Sequence, residues 1–217
     1  MSRIAIIGGH GKVALRLSTL LAERGDDVVS VIRNPDHADD VSATGATPVV
    51  EDIEKADRAR LAELLTGVDA VVWSAGAGGG SPQRTYAVDR DAAITSIDAA
   101  ADAGVQRYVM VSYFGAGPDH GVARDDAFFP YADAKSAADA YLADSTRDWT
   151  ILRPSALTDE PGTGRIETGP GLSAGKVSRD DVAAVAARVL ADNRTIGRVV
   201  EFNGGDTPIE QALTTSL

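Results

Sequence analysis

Cysteine is absent from the 217-residue chain. That excludes disulfides, zinc–thiolate sites, iron–sulfur clusters and thiol nucleophiles. Histidine is scarce. His10, His37 and His120 are the only imidazoles, and none stands at metal-ligand spacing from another, so no metal site is expected. Aromatics make up 5% of residues against 44% hydrophobic overall, so the core must be aliphatic and built from small side chains. Basic residues are outnumbered 21 to 32, a net charge of −11, and no run of Lys or Arg concentrates them. Such a surface repels nucleic acid and anionic lipid, and neither is expected as a partner. No apolar run is long enough to span a bilayer, and Met1 to Gly11 enters a strand pattern without a signal-peptide core. A cytoplasmic protein is the expectation. Length and composition fit a single globular domain over 1–217.

What is present is an alternation. Apolar runs at Ile4–Ile7, Val28–Ile32, Thr47–Val50, Asp69–Trp73, Arg107–Val111, Trp149–Leu152 and Arg198–Phe202 are separated by longer stretches. Helical patterns cover Val13–Arg24, Arg58–Leu65, Tyr86–Ala103, Tyr131–Ser145 and Asp180–Ala191. Runs that are apolar throughout suit strands buried on both faces, as in a parallel sheet covered by helices on either side. The Pro/Gly-rich stretch 161–175 lies late, and places a small C-terminal substrate lobe at 155–178 beside the sheet's carboxyl edge.

The sharpest local signal is Gly8-Gly9-His10-Gly11-Lys12-Val13-Ala14, following the first run and opening the first helix. It fits G-x-G-x-x-A from Gly9 and G-x-x-G-x-x-A from Gly8. A turn without side chains lets backbone N–H groups approach a pyrophosphate, and a helix N-terminus adds partial positive charge. The fold class follows: α/β, a Rossmann-type doubly wound parallel sheet with helices on both faces. The second run ends in Arg33-Asn34, where an NAD site usually carries an acid for the ribose hydroxyls. Arg33 suits a 2′-phosphate instead, which favours NADP and leaves NAD as the alternative. Lys12 and His10 stand where they add positive charge near the phosphates. Asp52-Ile53 follows the third run, placing an acceptor for the adenine amino group and an apolar face for the ring. Ser74-Ala75-Gly76 follows the fourth, and its small residues let a cofactor cross the sheet edge.

Tyr131 and Lys135 have Y-x-x-x-K spacing, which puts both on one helix face. An ammonium beside a phenol favours the phenolate and lowers the tyrosine pKa. Tyr131 is therefore the candidate acid–base group, with Lys135 tuning it and contacting the nicotinamide ribose.

Together these motifs resemble the atypical, NmrA-like short-chain dehydrogenase/reductases. They are most similar to small bacterial NAD(P)-binding proteins related to biliverdin reductase B (flavin reductase). The resemblance spans nearly the whole chain. It includes Val31–Asn34, Gly104–Arg107, Val109–Ser112 and Asp148–Pro154. Its most specific parts are Leu157–Gly164, Arg179–Ala183 and Phe202–Ile209. It implies cofactor contacts at Gly8, Gly11, Lys12, Val13, Arg33, Asp52, Ile53, Ser74, Ala75, Gly76, Lys135 and Pro154. It places a small-molecule substrate near Tyr113, Tyr131 and the lobe after Pro154. One departure stands out: the family's Ser-Ser after the fifth strand is Ser112-Tyr113 here. Either Ser112 polarises a substrate carbonyl from a shifted position, or Tyr113 donates through its phenol, or that role is missing.

The expected function is an NADP-preferring oxidoreductase acting on a small carbonyl, quinone or flavin. The alternatives are a non-catalytic NADP(H) redox sensor and an NAD-dependent sugar epimerase or dehydratase. Helices Tyr86–Ala103 and Tyr131–Ser145 either form a homodimer face or pack as Ala-rich helices on their own sheet; the pattern fits both.

Overall fold

Every apolar run pairs with a neighbour in register. In the computed structural model, which describes residues 1–79 and 81–215, they become β1 (Arg3–Ile7), β2 (Asp27–Ile32), β3 (Thr47–Val50), β4 (Ala70–Trp73), β5 (Arg107–Val111) and β6 (Asp148–Pro154). The short strands β7 (Ala156–Thr158), β8 (Arg165–Thr168) and β9 (Lys176–Ser178) follow, then β10 (Arg198–Gly204) and β11 (Thr207–Pro208). The main sheet has the order β11-β8-β10-β6-β5-β4-β1-β2-β3. From β10 to β3 all neighbours are parallel; β8 runs antiparallel to β10 and to β11.

The helices are α1 (Lys12–Glu23), α2 (Ala38–Ser42), α3 (Arg58–Leu64), α4 (Pro82–Thr85), α5 (Ala93–Asp102), α6 (Phe129–Ala143), α7 (Arg179–Leu190) and α8 (Ile209–Thr215). They cover both faces of the sheet. Successive strand side chains point to opposite faces, so each strand feeds two cores. Ile4, Ile6, Val72, Val109 and Leu152 pack with α1 and α7. Ala5, Ile7, Val71, Trp73, Tyr108, Met110 and Ile151 pack with α3, α5 and α6. Both layers are buried, which is why the runs read as apolar throughout.

Two features go beyond the sequence expectation. Pro82 to Asp102 is one continuous helical path, with a π-helical stretch at Tyr86–Ala92 between α4 and α5. The segment 155–178 divides. β7 and β9 form a separate two-stranded parallel sheet, while β8 joins the main sheet. Strands of three or four residues in a Gly/Pro-rich stretch carry too little periodicity to be read. The resemblance-specific acids at the start of α7 also gain a reason. Asp181 Oδ1 accepts from Thr163 N (3.0 Å) and Gly164 N (2.7 Å), and Asp180 Oδ2 accepts from Gly162 N (3.0 Å). Together they hold the 162–164 segment against the first turn of α7.

β1 has β2 on one side and β4 on the other, so the chain reverses its winding there. In open α/β sheets the crevice at the carboxyl ends of such strands is where ligands bind.

Candidate functional site

Between β1 and α1 the chain turns through Gly8–Gly11. Gly8 and Gly9 donate to the same carbonyl, Val31 O, at 3.1 and 2.9 Å, and Gly11 N donates to Gly8 O at 2.9 Å. Gly8 has φ +88°, and a Cβ there would stand 2.6 Å from the Cα of Ala75. A Cβ on Gly9 would stand 2.6 Å from that of Ser30. Neither position tolerates a side chain, because Ala75, just past β4, and Ser30 of β2 approach too closely. Gly11 caps α1 without a side-chain hydrogen bond, so the first-turn N–H groups of a twelve-residue helix meet no side-chain acceptor at its cap.

That turn opens into a groove of about 290 Å³ running along the carboxyl ends of β1 to β4. Gly8, His10, Gly11, Arg33, Ile53, Ser74, Ala75 and Gly76 line it as the sequence reading expected. So do Asn34, His37, Glu51, Glu54, Arg84 and Val88, which that reading missed. Arg33 Nη1 donates to Glu54 Oε1 at 3.0 Å. The same oxygen accepts from Arg84 Nη2 at 2.9 Å. His10 stacks on His37 with ring centroids 3.6 Å apart, and its Nε2 lies 2.8 Å from Asp40 Oδ2. A cradle that any side chain would fill, an uncapped helix N-terminus and two guanidiniums at one end fit a dinucleotide with its pyrophosphate on α1.

Besides Gly9 and Lys135, four expected cofactor contacts do not line the groove. Lys12 Nζ donates to Asp159 Oδ2 at 2.7 Å, drawn off the groove by a carboxylate 147 residues away. Asp52 pairs with Lys55 at 2.8 Å, which holds its carboxyl below the usual range. Val13 is buried in the α1 core. Pro154 ends β6, and its carbonyl accepts from Phe114 N at 2.9 Å, fixing the loop after β5. None of the four lines the groove.

Next along the same sheet edge, after β5, stand the candidate catalytic residues. Tyr131 lies in the first turn of α6, with Lys135 four residues on. Lys135 is buried, and its ammonium donates to Val111 O at 2.8 Å. Burial lowers its pKa, with Asp89 and Asp139 opposing the fall. The Tyr131 phenol moves in the direction opposite to the expected tuning. Burial raises its pKa, and the negative charges of Asp89 and Asp139 raise it further. The lysine serves the end of β5 and two buried acids; the phenol sits among carboxylates and rings. Ser112 is committed as well: its hydroxyl donates to Asp139 Oδ2 at 2.9 Å, which also accepts from Arg153 Nε at 3.1 Å.

Tyr113, Phe128 and Tyr131 form an aromatic cluster with centroid separations of 5.2 to 5.5 Å. The Tyr113 hydroxyl is buried without a well-formed hydrogen bond. Asp89, on the π-helical stretch, joins this cluster to the groove. Its Oδ2 accepts from Ala77 N at 3.0 Å, while its buried Oδ1 makes no hydrogen bond. That free oxygen lies 3.1 Å from where a Cβ on Gly76 would be. A residue of the π-helical stretch thus sets a carboxylate against the loop after β4. An isolated Asp in an Ala-rich helix gives no sequence signal of this.

The sequence signature of the NAD(P)H-binding family matches residues 8–193. The chain belongs to the NAD(P)H-binding family. Among relatives of this NAD(P)H-binding protein, one from Bacillus subtilis bears the name uncharacterized sugar epimerase YhfK. It is 35% identical over 213 residues, covering 97% of this chain and 98% of its own. A putative NAD-dependent epimerase/dehydratase from Bacillus halodurans superposes with a TM-score of 0.91 at 32% identity, covering 99% of this chain and 100% of its own. ChuY, an anaerobilin reductase from Escherichia coli, superposes with a TM-score of 0.77 at 26% identity, covering 94% of this chain and 98% of its own. Among the described residues no helix is long and apolar enough to cross a membrane.

Proposed function

We propose that this NAD(P)H-binding protein is an NADPH-preferring reductase that passes hydride to a small, flat, conjugated acceptor: a quinone, a flavin or a conjugated carbonyl compound. The observation that carries the reading is the order of features along one sheet edge. Two guanidiniums stand at the β2–β3 end, an uncapped helix N-terminus stands in the middle, and an aromatic cluster follows β5. A bound nicotinamide supplies the hydride. Gly8 and Gly11 would admit the pyrophosphate to the N-terminus of α1, and Arg33 would bind the 2′-phosphate. Ser74, Ala75 and Gly76 leave room for the cofactor to pass toward β5. The faces of Tyr113, Phe128 and Tyr131 would hold the acceptor by stacking and exclude water from it. Tyr131, kept protonated by burial, is in the form that donates a proton and not in the form that removes one.

The reductase name of ChuY supports a reductase. Hydride addition to a flavin or quinone needs less acid assistance than addition to a simple carbonyl, which suits a site whose serine is engaged by Asp139. The same engagement favours, as second reading, a sensor that binds NADPH without turnover. Epimerase chemistry, which two relatives' names suggest, calls for a base able to remove a proton, and Tyr131 is shifted away from that role. The test is NADPH oxidation by the purified protein with a panel of quinones, flavins and aldehydes. Turnover with a flat acceptor supports the reductase. Tight binding with no turnover on any acceptor overturns it in favour of the sensor.

A further inference from the structure

We propose that Arg84 is the second half of a two-arginine clamp for the cofactor's 2′-phosphate, and that Glu54 is the latch holding the clamp before the phosphate arrives. The proposal rests on the NADPH reading above. Arg33, Glu54 and Arg84 come from three different segments, the first two from the loops after β2 and β3 and Arg84 from the short helix α4 after β4, and all three line the groove. They converge on one atom. Glu54 Oε1 accepts from Arg33 Nη1 at 3.0 Å and from Arg84 Nε and Nη2 at 3.1 and 2.9 Å. Two planar cations aimed at a single oxygen are arranged as they would be around a phosphate, which offers several oxygens in place of one.

Glu54 contacts both guanidiniums, so at that carboxylate one negative charge faces two positive ones. Of the other acids nearby, Glu51 is bonded to Arg60 at 2.7 Å and Asp52 to Lys55 at 2.8 Å. Between Arg33 and Arg84 themselves this leaves a local excess of positive charge. A dianionic 2′-phosphate is the cofactor group that matches it; the uncharged 2′-hydroxyl of NADH does not. Arg84 is also pre-positioned. Its Nη1 donates to Ala77 O, which ties the guanidinium to the glycine-rich loop after β4. In this arrangement the phosphate replaces Glu54 between the two arginines, and Glu54 swings to solvent. Glu54 then competes with the 2′-phosphate for the two arginines, and the phosphate displaces it.

The test is titration of the intact protein and of four variants with NADPH and, separately, NADH. Arg84→Met should weaken NADPH binding by ~10-fold or more, the loss of one charge-assisted contact, and leave NADH within ~2-fold. Arg84→Lys should restore part of the loss. Glu54→Gln should tighten NADPH binding several-fold. If Arg84 serves only to anchor Ala77, Arg84→Met weakens both cofactors alike, and the clamp is wrong. If Glu54→Gln weakens NADPH binding, the latch is wrong. A wild-type protein that prefers NADPH, loses the preference on Arg33→Met and keeps it on Arg84→Met sinks the clamp while sparing the NADPH reading. A wild-type protein with no preference sinks both.

Discussion

The Lys135 ammonium donates to the Val111 carbonyl at 2.8 Å, so the lysine of the Y-x-x-x-K pair is spent on the end of β5. The Tyr131 phenol, one turn earlier, is left to burial and to Asp89 and Asp139, which push its pKa up. Tyr131 should therefore stay protonated across the working range. The rate should show no ionisation between about pH 6 and 9 that Tyr131→Phe removes. With a simple carbonyl acceptor, Tyr131→Phe should lower kcat by ~10²-fold, the usual worth of a general acid. With a flavin or quinone it should stay within a few-fold. An ionisation near neutrality that vanishes in Tyr131→Phe would contradict this account.

Gly8→Ala tests the cradle. The new Cβ would stand 2.6 Å from the Ala75 backbone, at a φ of +88°. Either β4 moves or the turn does, and the groove floor moves with it. Binding of NADPH and NADH should fall together, with a stability loss of ~1–3 kcal/mol. Selective loss of one cofactor would place the fault elsewhere.

Lys12→Met separates sequence from geometry. The glycine-loop position suggests a phosphate contact, but Asp159 holds the ammonium at 2.7 Å. NADPH affinity should change by less than ~3-fold, far below the loss of a charged phosphate contact. A ~10-fold loss would mean that the ion pair opens to meet the cofactor.

Asp192 supplies a pH test of the fold. Its carboxylate accepts from Arg194 Nε and Nη2 at 2.8 and 2.7 Å and from Arg194 N at 3.1 Å, and its pKa is pulled down to about 2. The folded pKa lies below the unfolded value of ~3.9, so the stabilisation is present above that value and is lost as pH falls toward the folded one. At neutral pH, Asp192→Asn should cost about 1–2 kcal/mol after allowance for screening at the exposed Arg194. Melting curves of the two proteins should converge as the pH drops from about 4 to about 2. A gap that persists in acid would assign the effect to packing.

The parts of the fold that depend on local pattern were legible. The continuous apolar runs marked strands buried on both faces, and Gly8 to Ala14 marked the β1–α1 turn. Arg33 could be placed because β2 ends just before it. The rest depends on contacts distant in sequence. Nothing near Lys12 announces Asp159, and nothing near Arg84 announces Glu54. Lys135 sits at the right spacing from Tyr131, but its direction is set by the Val111 carbonyl on another element. Asp89 looks like one more helix-surface acid until the π-helical stretch turns it inward. β8 is four residues long, and its place beside β10 is fixed by pairing, not by its own sequence.

The central claim is that the groove takes NADPH in preference to NADH, and fluorescence titration of the wild-type protein with each cofactor tests it most directly. The account predicts NADPH binding tighter by at least ~10-fold, the worth of one charge-assisted phosphate contact. Equal affinities would reduce Arg33 to a surface charge and contradict it.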